Sequence, residues 1–223
     1  MITFDIITIF PEMFRSYVKE SLISRAQKKK LIKINLHNLR DFTEDNHKTV
    51  DDRPFGGGLG MVLKIEPIYK AVQSLKSKIK NQKSEIVLFT PRGEKFTQKM
   101  AYKFSKLDRV IFICGRYEGV DERVAQHIAD IELSIGDYDL MGGELPAMVA
   151  VEAISRLVPG VLGKEQLLKE RITKSGGFIE YAQYTRPEIF KVGKKTWRVP
   201  KVLTQGDHKK IEAWKKAHGK VIE

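Results

Sequence analysis

The sequence predicts an α/β protein built on a parallel sheet, followed by a small, mainly helical C-terminal domain. Three observations carry this. Strand-like and helix-like runs alternate from the N-terminus to about residue 160. Three of the runs end in glycine-bearing turns, which suits a sheet that takes a ligand beyond the carboxyl ends of its strands. After Gly160 the alternation stops and charged residues dominate.

MITFDIIT (1–8) is apolar enough for a buried strand. Pro11 opens a helix, and in PEMFRSYVKESLISRAQ the residues Phe14, Tyr17, Val18, Leu22 and Ala26 keep helical spacing. LIKINLHNL alternates as a strand does, and a long polar segment runs from Arg40 to Gly60. Pro67 starts the next helix, with Ile68, Ala71, Val72, Leu75 and Ile79 on one face. EIVLFT (85–90) and RVIFIC (109–114) are β-branched and aromatic runs that end in TPRGEK and CGRYEG. A helix carrying Phe96, Met100, Ala101 and Phe104 separates them. Another helix is expected from Asp121 to Ala129, then a strand at IELSI. SIGDYDLMGGELPAM (134–148) holds three glycines, a proline and three carboxylates beside Leu140, Met141 and Leu145. It is too glycine-rich for a regular element and too apolar for a plain surface loop. AMVAVEAISRLV (147–158) reads as an apolar helix that stops at Pro159-Gly160. Residues 161–177 read as a linker or mobile lid. In DHKKIEAWKKAH (207–218), Asp207 caps a short helix striped by Ile211 and Trp214, and Gly219 ends it. The expected domains are therefore 1–160 and 178–223, joined by 161–177.

Composition narrows the function classes. The longest apolar run falls far short of the roughly 18 residues of a membrane span. The N-terminus has no basic region and carries Asp5, unlike a signal peptide, so a soluble cytoplasmic protein is expected. The single cysteine, Cys114, excludes an internal disulfide and a cysteine-based zinc site. A net charge of +12 points to a polyanionic partner, nucleic acid first. Residues 161–223 hold 15 Lys/Arg against 7 Asp/Glu, so the excess is concentrated there. No G-x-G-x-x-G, Walker-type or H-E-x-x-H motif occurs. In CGRYEGVDER, Glu118 lies near a helix start, and Arg116, Asp121, Glu122 and Arg123 are expected to pair with one another. Arg156, on an apolar helix end, is expected to be buried and to need an anionic or acceptor partner.

The set IFPEMF, TVDDRPFGGGLGM, CGRYEGVDER, SIGDYDLMGGELPAM, SRLVPGVLG and YTRPEIF closely resembles bacterial tRNA (guanine-N1)-methyltransferases, which act on guanosine 37 beside the anticodon and belong to the SPOUT superfamily. The resemblance runs in order from the N-terminus through Pro187 and weakens beyond Lys191. It implies a SPOUT-type parallel sheet with a deep trefoil knot, an exception to the rule against knotted chains. It also implies S-adenosylmethionine as cofactor, a homodimer with active sites at the subunit interface, and a C-terminal domain that grips tRNA. By motif, the cofactor would meet Leu88, Phe89, Thr90, Pro91 and Gly93, then Gly115, Arg116, Tyr117 and Glu118. Its third wall would be Ile135, Gly136, Tyr138, Leu140, Gly142, Gly143 and Pro146, together with Asp137 and Asp139, which face either substrate or water.

Guanine N1 is protonated at neutral pH, so the reaction needs a base for N1 and a cation for charge growing on O6. Arg156 matches the family's arginine. The family's acidic lid position holds Arg171 here, which leaves Glu170 as first choice for the base and Glu180 as second. Family activity is linked to Mg2+, although no metal-ligand cluster can be read. The alternative is a non-catalytic or differently targeted SPOUT-type RNA-binding protein.

Overall fold

The computed structural model describes residues 1–77, 81–163, 171–174 and 176–222. Strand β1 (Ile2–Thr8) is buried along its whole length. Pro11 caps helix α1 (Glu12–Val18), and a second helix, α2 (Ser21–Lys28), follows after a break. One continuous helix was expected across this span. Glu20 is instead extended, and the Val18 carbonyl accepts from the Gln27 side chain at 2.7 Å. The break lets Phe14, Ile23 and Ala26 all reach the core.

Strand β2 (Ile32–Asn38) follows. The polar segment then contains two short paired strands, β3 (Asp51–Asp52) and β4 (Val62–Leu63), which bracket the glycine cluster. Gly56, Gly57, Gly58 and Gly60 all have positive φ, which an L side chain rarely adopts. Helix α3 (Ile65–Lys76) starts two residues before Pro67, and Ile79 lies outside the described residues. Strand β5 (Ser84–Lys95), helix α4 (Gln98–Phe104), strand β6 (Arg109–Cys114), helix α5 (Glu122–His127), strand β7 (Ile131–Ser134) and helix α6 (Glu144–Ser155) complete the first part.

The five long strands form one sheet in the order β2-β1-β6-β5-β7, with every pairing parallel. On one face Ile7, Ile86, Leu88, Ile111 and Ile113 pack with α3 and α5 through Ile68, Ala71, Val72, Leu75 and Val124. On the other face Phe112 meets Phe4 and Phe89, with ring centroids 6.1 and 5.2 Å away. Helix α6 packs on β1 and β6 and is flanked by α1 and α4.

The chain divides into two compact units, Met1–Leu168 and Lys169–Glu223. In the second unit, strand β8 (Phe178–Tyr181) pairs with strand β11 (Gly219–Ile222), and strands β9 (Ile189–Val192) and β10 (Lys195–Arg198) form a hairpin. Helices α7 (Lys201–Thr204) and α8 (His208–Ala217) lie between. Asp207 caps α8 by accepting from the Lys210 amide at 3.2 Å, and Trp214 packs between Tyr184 and His218. The helices thus share this unit with two strand pairs that four-residue runs are too short to announce. Residues 171–174 and 176–177, assigned by sequence to the linker, fold back onto β8, where the Ile179 amide donates to the Arg171 carbonyl at 2.7 Å. Among the described residues, no helix is long and apolar enough to cross a membrane.

Asp5 carries a charge into the interior of the first unit. Asp5 is 1% exposed, and its carboxylate takes Arg109 Nη1 at 2.6 Å, His37 Nε2 at 2.7 Å and Asn35 Nδ2 at 2.9 Å. Burial alone would raise its pKa, but the hydrogen bonds from His37 and Asn35 and the Arg109 charge outweigh it and hold the carboxyl below its ordinary value. A depressed folded pKa gives stability that is complete above the unfolded value of about 3.9. That stability is lost as pH falls through the lower folded value. Asp5→Asn should therefore cost about 3 kcal/mol in urea unfolding at pH 7. The gap to the parent protein should narrow below about pH 4, and a pH-independent gap would count against this account.

Candidate active site

The carboxyl ends of β6, β5 and β7 lie side by side, and each strand leaves the sheet differently. β5 loses register with β7 between Phe89 and Glu94, so Thr90 to Gly93 bulge out of the ladder. β6 ends in a tight turn closed by the Gly119 amide on the Arg116 carbonyl at 3.0 Å, with Tyr117 at φ 60°. After β7 the chain folds on itself, with Ser134 Oγ donating to the Gly136 carbonyl at 2.9 Å and the Tyr138 hydroxyl to the Ile135 carbonyl at 3.2 Å. It then returns against the β6 turn, where the Gly143 amide donates to the Gly115 carbonyl at 3.0 Å. A Cβ on Gly143 would stand 2.6 Å from Cys114 Cα, so only glycine permits this approach.

These three exits enclose a cavity of about 350 Å³, inside the roughly 300–1,000 Å³ range of small-molecule sites. Leu88, Phe89, Thr90 and Pro91 line it from β5. Gly115, Arg116, Tyr117 and Glu118 line it from β6. Ile135, Gly136, Tyr138, Asp139, Leu140, Gly142, Gly143 and Pro146 line it from the β7 side. Of the residues carried over by motif, Gly93 and Asp137 fall outside it. Gly93 is pressed against β7, where a Cβ would lie 2.5 Å from the Leu133 amide nitrogen. Asp137 is exposed and pairs with Lys95.

Arg92, Gly119, Val120, Glu122, Leu133 and Ser134 also line the cavity and are not among the cofactor contacts carried over by motif, although Arg92, Gly119 and Ser134 belong to the strand-end turns read from the sequence. The signal was their position beside the motif residues at the same strand ends. Arg92 donates to Glu122 at 2.5 Å and to Glu132 at 3.1 Å.

Glu144 was missed for a different reason. It is fully buried at the first position of α6 and accepts from Thr8 Oγ1 at 2.7 Å and Arg116 Nε at 2.8 Å. Arg116 also lies over the Phe10 ring, 4.8 Å from its centroid. The expected local network therefore dissolves. Arg116 goes to Glu144, Glu122 goes to Arg92, and only Arg123 and Asp121 pair together, at 2.7 Å. Burial, with the charge of Glu144 behind it, pushes the Cys114 thiol well up, so this cysteine is no nucleophile.

Arg156 is the C-cap of α6 and is exposed rather than buried. The helix turns Val151, Ile154 and Leu157 inward, which leaves the face of Glu152 and Arg156 outside. Arg156 does not line the cavity. Glu180 is on β8 in the second unit and accepts from Arg171 Nη1 at 3.0 Å. Glu170 lies outside the described residues. Among the described residues, no group of three or more His, Cys, Asp or Glu is placed to hold a metal ion.

Fold and cavity define a class: an α/β protein with a cavity beyond the carboxyl edge of a parallel sheet, where such sheets bind ligands. Comparison with known proteins narrows it. The family model described as tRNA (Guanine-1)-methyltransferase TrmD matches residues 2–221. A tRNA (guanine-N(1)-)-methyltransferase of Dictyoglomus turgidum is 53% identical over 97% of this chain and 84% of its own. That of Carboxydothermus hydrogenoformans is 50% identical over 95% and 80%. The crystal structure of a tRNA (m1G37) methyltransferase from Aquifex aeolicus superposes with a TM-score of 0.77 at 39% identity, covering 97% of this chain and 88% of that one. The chain belongs to the tRNA (guanine-1)-methyltransferase family.

The two roles open to Gly93, ligand contact and strand packing, are separable. Gly93→Ala should lower stability by about 1–3 kcal/mol, because the backbone of β7 must move. Thermal unfolding without ligand checks this, and an unchanged melting temperature would refute the packing role.

Proposed function

We propose that this chain methylates N1 of guanosine 37 in tRNA, with S-adenosylmethionine as donor, and that it works as a cytoplasmic homodimer. The strand-end cavity, in a chain of this family, is the observation that carries the proposal. Its lining suits the cofactor: Leu88, Leu133, Ile135, Leu140 and Pro146 supply apolar faces for adenine. Backbone groups at the three strand ends meet its polar edge. Arg92, Glu118, Glu122 and Asp139 offer both signs of charge to an amino-acid tail. The close approaches at Gly93 and Gly143 suit the deep trefoil knot. Helices α1 and α6 pack together yet leave Met13, Leu145 and Val149 exposed, which supports a subunit interface there.

S-adenosylmethionine, when bound, supplies a methyl on a sulfonium that leaves as a neutral thioether. The chain's own task is to make guanine N1 a nucleophile. Glu170 takes the N1 proton, and Arg156 balances the negative charge that moves onto O6. Glu180 is the weaker candidate for the base because it is already committed to Arg171, whose guanidinium also lies 4.8 Å from the Tyr181 ring centroid. No step is assigned to Mg2+, since no group of three or more His, Cys, Asp or Glu gathers among the described residues.

The test is primer extension on tRNA with guanosine 37, because an N1 methyl blocks the pairing edge and stops reverse transcriptase. Protein plus S-adenosylmethionine should create that stop, and tight tRNA binding without a stop would sink the proposal. Arg156→Ala should slow transfer about 10²-fold or more. Glu170→Gln should also slow it at least about 10²-fold, and Glu180→Gln far less. The reverse order would move the base to Glu180.

A further inference from the structure

Hairpin β9–β10 is exposed on both faces: all eight of its strand residues are solvent-accessible. Its register sets Phe190 opposite Trp197, with ring centroids 5.9 Å apart and planes tilted by 39°. Both rings stand in the open, 51% and 58% exposed. Strand alternation places Val192 and Lys195 on the same face. The turn presents Lys194 beside Gly193, while Lys191 and Arg198 charge the reverse face. From Ile189 to Arg198 there are four basic residues and no acidic one.

Other aromatic residues of this unit are tied down. Trp214 is half-buried between Tyr184 and His218, and Tyr181 lies under Arg171 and Lys215. Phe190 and Trp197 stack on each other, on a ribbon that would be marginal alone in water. An apolar protein surface would gain nothing from the surrounding cations. A single-stranded nucleic acid would use both features, since every base has a π-face and every nucleotide carries a phosphate.

We propose that the Phe190–Trp197 face is a stacking platform for an unpaired base of the RNA substrate, with Lys194 and Lys195 meeting the adjoining phosphates. This rests on the proposed function for the identity of the RNA as tRNA. The platform itself requires only a single strand.

The experiment uses the full chain with three variants: Trp197→Leu, Trp197→Phe and the pair Lys194→Ala/Lys195→Ala. Trp197→Leu should weaken tRNA binding about 10-fold, the loss expected for one stacked base. Trp197→Phe should recover most of that loss, because it keeps a π-face. Affinity for S-adenosylhomocysteine, measured by calorimetry, should stay unchanged in all three and so report intact folding. The lysine pair should flatten the slope of log affinity against log salt by about 1.4. In the parent protein a single-stranded RNA oligonucleotide should quench tryptophan emission, and Trp197→Phe should remove most of the quenching.

Equal tRNA affinity for Trp197→Leu and the parent, with no quenching by RNA, would overturn the platform. So would a Trp197→Leu variant whose only change is its sedimentation, which would mark the face as a contact with a second copy. Quenching without any methylation of tRNA would support the platform while refuting the substrate assignment.

Discussion

The first unit depends on a buried ion pair, Arg116 with Glu144. It joins the turn after β6 to the first residue of α6, and so fixes where the long loop after β7 must end. Thr8 Oγ1 takes the other carboxylate oxygen and ties the same point to β1. Two charges out of water are costly unless their hydrogen bonds are met, and here they are met by groups from separate elements. Removing any one group would leave a buried charge unsatisfied. The cavity is thus bounded by a backbone whose curvature is enforced from behind, and at Gly143 that curvature leaves no room for a side chain.

Much of this was legible in the sequence, because the signals were local. Alternation gave the strands, glycine at the strand ends gave the cavity, and Asp207 marked its helix. What escaped was non-local. Arg116 has acidic neighbours at Asp121 and Glu122, yet its partner lies 28 positions away on α6. No periodicity predicts such a choice, because it is made by the stacking order of the strands. Arg156 misled in the opposite way: its apolar neighbours suggested burial, but helical rotation puts it on the same outer face as Glu152. The break between α1 and α2 was hidden because the apolar spacing continues across it. The β9–β10 hairpin was missed because its apolar residues face solvent and therefore resemble the polar loops around them.

The two units spend their residues differently. The first buries a sheet on both faces and places its ligand space at one edge. In the second, no described residue from Phe178 onward is fully buried, and its aromatic residues are held by cations and by one another. With so little apolar area removed from water, that unit has a thin margin against the entropy of its chain. A partner that orders it also stabilises it, so binding and folding are thermodynamically linked there.

Cys114 has a practical corollary. It is the chain's only thiol, fully shielded at the end of β6, and its ionisation is suppressed by burial and by Glu144. The native surface is therefore silent toward maleimides and other thiol-directed reagents. A cysteine introduced at one chosen surface position would be the sole reactive site, so a single fluorophore or spin label could be attached without first removing a native residue from the core.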